Sequence, residues 1–522
     1  MPVTVTRPGV HQTEVSSGVR SITGVDTSVT AFIGRARRGS TEVPRLVQSF
    51  TEFQTAYGGF WDESVMPSSV HQYFLNGGRD ALICRVHNGA TAATLMLPAN
   101  FRLVAASEGE WGAWLRARVD HETPPDEPRE TARMLFNLSV KDTATGTVER
   151  FANVSAKAGH HRYVRAVLEE QSNLVRIDPA TRLAGRPDTH ADAPSGADPL
   201  EEDASSTAFE WGSDGDPLND TDVSDAATLE SRHRGLWLLE HAESFNLLVI
   251  PPLRPDRDVS QTTWNVAADY VTRRRAFLIA DAPAAWDEAA DMTAASVDAV
   301  ISQNVNGSNA ALYFPRIRAA DPGRDNRLAT FAPSGAVAGV YARTDAQRGV
   351  WKAPAGRDAG LAGVPAVIVE LSDGENGELN RRGVNCLRTF PGVGCVVWGA
   401  RTCDGADALA SEWKYVPVRR LALFIEVSLR RGTQWVIFER NDEALWSQIR
   451  RAAGAFLHDL FRRGAFQGRS PAEAYFVKCD ADTTSQDDID SGLVNVQVGF
   501  APLRPAEFVV IRLSQRTGQA EP

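Results

Sequence analysis

The segment from Phe245 to Phe314 constrains the fold more than any other part of the chain. FNLLVI (245–250), AFLIA (276–280) and AALYF (310–314) are continuous apolar runs of strand length. Between them, Val266 to Arg275 and Trp286 to Val300 carry the spacing of helices. A strand that is apolar at every residue is covered on both faces, and strand–helix–strand repeats imply parallel pairing. The expected fold class is α/β (α+β overall), with a doubly wound core. An earlier stretch fits the same sheet. Thr27 to Arg35 reads as a buried strand and Ala81 to Val86 as another. Between them lie two short helices, Ser49 to Tyr57 ended by Gly58-Gly59 and Ser68 to Asn76 ended by Gly77-Gly78.

From about Asn88 the texture changes. Gly112 to Val119 alternates, and Met134 to Val140 and Thr147 to Val154 flank a turn at Asp142–Gly146, which predicts a hairpin. His161 to Ile177 has helical spacing. Arg186 to Asp225 then holds twelve of the chain's 66 acidic residues and one of its 55 basic ones. The net charge of −11 is therefore local, since the remainder carries 54 of each sign. A neutral body gives no electrostatic footprint for nucleic acid. We read residues 89–232 as an inserted, β-rich accessory module, with 186–225 as an acidic loop or partly disordered excursion.

The C-terminal part predicts a helix from Val416 to Arg431, a strand at Trp435–Phe438, and a long helix capped by Asn441 and running to Arg463. The long helix has its apolar face at Leu445, Ile449, Ala453, Phe456, Leu457 and Leu460. Leu493 to Phe500 alternates strictly, and Phe508 to Leu513 is a last apolar strand. At the other end, Met1 to about Gly24 reads as an arm with Val3, Val5, Val10 and Val15 in extended chain. One strand this short buries no face by itself and must pair with a sheet in its own subunit or another.

Recognisable chemistry is missing. Pro251-Pro252 follows the first strand of the parallel core, where a Gly-rich loop would cradle phosphate. Asp281 follows the second strand, at a position open either to a site carboxylate or to a cap. No histidine lies between His241 and His458, so a triad on the sheet would have to import its base. Cys386, Cys395 and Cys403 are too widely spaced for a zinc knuckle. We expect no catalytic, cofactor or metal residue, no membrane insertion, no secretory signal, and no disulfide framework among five cysteines.

Several long runs resemble the contractile tail sheath family of phages and related injection systems. They are RPGVHQTEV, then TSVTAFIGRARRGSTEVPRLVQSFTEFQTAYGG, then ALYFPRIRAADP with APSGAVAGVYARTDAQRGVWKAPAG. FPGVGCVVWGARTC, EWKYVPVRRLALFIEVSL and WVIFERND complete the series. The resemblance covers residues 1–84 and about 236–513. It implies a subtilisin-like α/β core without protease activity. It also implies a plan by segment. Residues 1–24 are an arm for strand exchange between subunits, 25–88 and 233–384 the sheath core, 385–492 a C-terminal domain facing an inner tube, and 493–522 C-terminal strands.

The family's chain ends add strands to neighbouring subunits. The candidates here are Val3, Val5, Val10 and Val15, with Val494, Val496 and Val498 or Phe508 and Val510. Main-chain pairing of this kind is heterologous and propagates a helical polymer. The resemblance further implies hexameric rings stacked around an inner tube protein, with baseplate and tail-terminator or cap partners. Assembly would be cytoplasmic, within a phage tail or a tail-like particle that is retained or released. Tube contact falls to Arg450, Arg451, Arg462 and Arg463, residues that equally fit a solvated basic face. Three alternatives stay open: the sheath of a true phage, a non-contractile self-assembling shell protein, and a soluble α/β enzyme with carboxylates at Asp281 and Asp256 or Asp258.

Overall fold

The computed structural model describes residues 21–98, 100–123, 134–183, 185–287 and 307–507. These divide into two compact units. The larger comprises Thr27–Gln347 and Pro354–Val416, and the smaller takes the residues up to Asp26, Arg348–Ala353 and those from Pro417 onward.

The larger unit is built on an eight-stranded sheet. Its strands are β1 (Thr30–Gly34), β2 (Arg45–Val47), β3 (Ala81–Arg85), β4 (Leu247–Val249), β5 (Phe277–Asp281), β6 (Ala310–Phe314), β7 (Val384–Phe390) and β8 (Gly394–Val397). The spatial order is β8-β7-β6-β5-β4-β1-β3-β2. The pairs β3/β1, β1/β4, β4/β5, β5/β6 and β6/β7 are parallel, and the two edge strands are antiparallel. Strand order reverses between β1 and β4, as in a doubly wound sheet. Every residue of β1, β3, β4, β5 and β6 is buried, which is why these runs carry no alternation.

Local signals set the helices. Ser49 caps α1 (Phe50–Tyr57) by accepting from the Glu52 N–H, and Gly58 ends it at φ 88°, a left-handed conformation that glycine reaches without strain. α2 spans Met66–Leu75. Ser260 caps α3 (Gln261–Arg274), which begins earlier than its apolar spacing predicts because the polar first turn is held by the cap. α4 spans Ser334–Arg348. Of the predicted helix at Trp286–Val300, Ala284–Asp287 form a 3-10 turn and residues 288–306 lie outside the described residues.

β7 pairs with β6 in register Leu312↔Val384, so the large sheet is still being completed beyond residue 385. The last stretch of the smaller unit accordingly starts at Pro417, where a boundary at 385 was expected.

The chain between β3 and β4 carries two antiparallel sheets. One has Thr207–Ala208, Leu115–Asp120, Leu135–Asp142 and Thr147–Ser155, and the other Thr94–Leu97, Phe101–Ala105 and Val175–Ile177. They share a core that includes Leu103, Leu115, Phe136, Leu138 and Leu168. The predicted helix over His161–Ile177 is shorter, Val164–Gln171. Ser172 Oγ accepts from the N–H groups of Leu174 and Val175 and turns the chain, so Val175 and Ile177 join a sheet instead. The acidic stretch is not a loose excursion where it is described. Arg116 meets Asp203 at 2.7 Å, Arg118 meets Asp192 at 3.4 Å, and Lys141 meets Asp198 at 2.6 Å as well as Glu201. Four of its carboxylates are thus matched to cations on neighbouring strands.

In the smaller unit, α5 (Val416–Gly432) and α6 (Glu443–Arg462) pack with β9 (Tyr475–Lys478) and β10 (Gln497–Phe500). All six residues predicted for the apolar face of α6 are buried. Its cap is Asp442, which accepts from the Leu445 N–H at 2.9 Å. Asn441, the predicted cap, instead accepts from Trp446 Nε1–H and donates to the Leu493 carbonyl. The predicted strand at Trp435–Phe438 is a 3-10 turn, Gln434–Val436, followed by a loop. β-Branched and aromatic composition imitated a strand there, but no partner strand is in register among the described residues.

Candidate assembly surfaces

An open parallel sheet hosts chemistry at the carboxyl ends of its strands. A cavity of about 140 Å³ lies there, bordered by Ile250, Pro252, Asp258, Trp264, Asp281 and Leu312. Asp281 ends β5 and is 7% exposed. Its two oxygens accept from the backbone N–H of Ser334 at 2.8 Å and from Ser334 Oγ–H at 2.6 Å. Both donors sit at the start of α4, where the helix dipole favours negative charge. Burial pushes the Asp281 carboxyl up to about 6, against the pull of those two bonds and of Arg316.

Asp258 pairs with the Arg316 guanidinium and accepts from the Ala284 N–H at 2.7 Å. Asp287 lies 3.5 Å from Arg316 and is also raised to about 6, mainly by burial. Asp256 is paired at the surface with Arg254 at 3.0 Å. Asp281 ties β5 to α4, and Asp258 neutralises an arginine. Among the described residues no group of three or more His, Cys, Asp or Glu side chains is arranged to hold a metal ion. Cys386 and Cys395 are buried, and burial pushes both thiols up to about 12, so little thiolate forms at neutral pH.

The strand surfaces of the smaller unit are different. β9 and β10 pair antiparallel, with Tyr475 opposite Phe500 and Val477 opposite Val498. Among the described residues neither strand has a second neighbour in its ladder. Phe476, Leu493 and Val496 are exposed beside it. Val498 lies in β10, Val496 is exposed, and Val494 packs against Leu445, Trp446, Ile449 and Cys479. The stretch expected to be lent outward is thus anchored in its own chain at both Val494 and Gln497–Phe500. Val3, Val5, Val10, Val15, Phe508 and Val510 lie outside the described residues.

The four arginines of α6 and its end divide in two. Arg450 donates to Glu443 at 2.5 Å and to the Cys479 carbonyl. Arg463 lies 3.9 Å from Asp459 and stacks over the Trp351 ring at 5.2 Å. Arg451 and Arg462 are exposed. Sequence reading missed Phe476 and Phe438, both strongly exposed. For Phe438 a signal was available: Ile437-Phe438 is the last apolar pair before the polar run Glu-Arg-Asn-Asp that opens α6.

The chain matches two family profiles. One is described as the phage tail sheath protein central domain, over residues 239–403, and the other as the phage tail sheath C-terminal domain, over residues 410–516. Together they cover more than half of the chain. The tail sheath protein of Vibrio phage KVP40 is 25% identical over 189 residues, 36% of this chain and 27% of that protein. A putative prophage major tail sheath protein of Pseudomonas aeruginosa (strain UCBPP-PA14) is 24% identical over 274 residues, 52% of this chain and 66% of that one. The matched region therefore spans less than two thirds of either relative. In fold, the chain is similar to the PVC sheath complex of an extracellular contractile injection system in its contracted state. The TM-score is 0.58 at 22% identity, with 99% of both chains covered. With both sheath profiles matched in order along one α/β chain, the protein belongs to the phage tail sheath family.

Proposed function

We propose that this chain is the structural subunit of a contractile sheath, polymerising as stacked hexameric rings around an inner tube. Contraction would drive the tube through a target membrane. The observation that carries the reading is the β9–β10 hairpin, a two-stranded sheet with no further ladder neighbour among the described residues. Two strands are marginal alone, and an open edge accepts an extended segment through main-chain hydrogen bonds. The N-terminal arm and the chain beyond residue 507 are the segments to supply it, each reaching into a neighbouring copy. Family membership supports the same reading. Full-length likeness to an injection-system sheath favours a tail-like particle over a phage tail.

In this reading the subunit carries out no bond chemistry. Energy for movement is the free-energy gap between two packings of one lattice, released as contacts between copies increase. The accessory module faces outward, and the C-terminal domain faces the tube, with Arg451 and Arg462 as its accessible cations. The partners are further copies of the chain, an inner tube protein, a baseplate and a terminal cap. Assembly takes place in the cytoplasm and involves no nucleic acid. Electron microscopy of the purified protein, alone and with its inner tube protein, tests this. Long tubes of stacked rings are expected. A discrete small oligomer under both conditions would refute it.

A further inference from the structure

The loop joining α5 to α6 carries the most exposed large apolar side chain among the described residues. Phe438 is 102% exposed and its neighbour Ile437 63%. Phe438 also sits at φ +71°, a left-handed conformation that bulky side chains rarely adopt. The loop is nonetheless well held. Thr433 Oγ–H donates to the Leu429 carbonyl, the Val436 N–H to Thr433, and the Glu439 N–H to Val436, at 2.8 to 3.0 Å. Trp435 and Val436 turn inward against Leu445, Trp446, Ile449 and Cys479. Asp442 and Asn441 close the loop onto α6. A braced backbone that keeps an aromatic ring fully in water, in a conformation it disfavours, is the geometry of an anchor awaiting a partner surface.

What surrounds the loop indicates the partner. On one side, Asn441 donates to the carbonyl of Leu493 at 2.9 Å, and Leu493, 54% exposed, leads into β10 with its open ladder. On the other, Gly432 lies so close to Ile22 that a Cβ on it would stand 2.6 Å from that side chain. The loop that carries Ile437 and Phe438 is therefore held at one end against Leu493, which leads into β10, and at the other against Ile22, at the start of the described chain; both neighbours belong to the features assigned above to contacts with another copy. We propose that Ile437 and Phe438 form an apolar anchor that seats on a second copy of this chain, beside the exchanged strand. This rests on the sheath reading and adds to it. Main-chain pairing tolerates many sequences and slips in register. One buried aromatic supplies both the fixed register and a concentrated share of the affinity.

The test uses the purified full-length chain, with polymer measured against concentration by sedimentation and negative-stain microscopy. Phe438→Asn removes the ring and suits left-handed backbone, so the subunit's Tm should hold or rise. The concentration needed for polymer should increase at least ~tenfold, the loss typical of an anchor residue. Ile437→Ser, on ordinary backbone, should give a smaller increase in the same direction, and it decides the matter if Phe438→Asn lowers Tm. Polymerisation of Phe438→Asn at the wild-type concentration overturns the proposal. So does a variant that polymerises normally but no longer retains the inner tube protein, which would assign the ring to the tube. A folded wild-type chain that never polymerises refutes the sheath reading itself, a result distinct from either.

Discussion

The two sheets at opposite ends of the chain's construction treat their edges in opposite ways. In the larger unit, β8 is closed by the segment before it. The N–H groups of Gly356 and Leu361 donate to the carbonyls of Val397 and Cys395, and the Val397 N–H donates to Ala359. The far edge, β2, is only three residues long and opens with an arginine. Short, charged or covered edges resist pairing with other chains. The β9–β10 pair is also short, and β9 ends in Lys478, but among the described residues no segment covers its outer edge, and exposed Phe476, Leu493 and Val496 lie beside it. One sheet has both edges short or covered, while the other is a two-stranded ladder with no further neighbour among the described residues.

The sharpest way to break that contrast is to delete Met1–Val15. The truncated chain should stay folded and lose polymerisation completely in sedimentation and microscopy. Sheaths formed without the segment would remove the arm from the account. Next in size, Leu278→Ala in the fully buried β5 should cost about 2–5 kcal/mol, read as a lower Tm. Phe476→Ser in β9 should change stability by no more than roughly 0.5 kcal/mol while weakening assembly, since it lies on an exposed face. Equal Tm losses in the two variants would erase the distinction between the sheets.

A third test concerns Asp281. Its folded pKa near 6 stands above the unfolded value, so the folded state holds the proton more tightly. The stability it contributes is full at low pH and is lost as pH rises through about 4 to 6. Asp281→Asn removes that dependence. Between pH 7 and pH 5 the wild type should gain roughly 1 kcal/mol relative to the variant, measured by denaturant unfolding. A difference independent of pH would contradict the burial of the carboxylate. The smallest effect is expected for Arg451→Glu with Arg462→Glu. Tm should hold, and tube co-sedimentation should weaken by up to ~1 kcal/mol per exposed charge, most visibly at low salt. No change at low salt would release both residues from tube contact.

The parallel core was readable because β4, β5 and β6 are apolar at every position and are separated by helix-length chain. The face of α6 was equally plain from its spacing. The hairpin was only half readable. Alternation from Leu493 to Phe500 is continuous, yet only Gln497–Phe500 pair, because Val494 is drawn into the cluster around Trp446. Trp435–Phe438 misled for a similar reason. Strand-like composition is shared by residues that pair, residues that pack and residues that stand in water, and nothing local separates the three. For Asp281 the sequence favoured a cap or turn over a site carboxylate, but its partner Ser334, 53 positions away, emerged only from the fold.

What the amino-acid sequence determined by itself is periodic: which segments are buried on two faces, which present one stripe, and where caps and glycines end them. These follow from the geometry of a few consecutive residues. The tertiary structure decided the rest. It placed β4 beside β1 although some 210 residues separate them, gathered the smaller unit from three stretches of chain, and matched the acidic segment to Arg116, Arg118 and Lys141. Partners of that kind are chosen among many equally apolar strands and equally charged side chains. Only closing the chain in three dimensions selects between them.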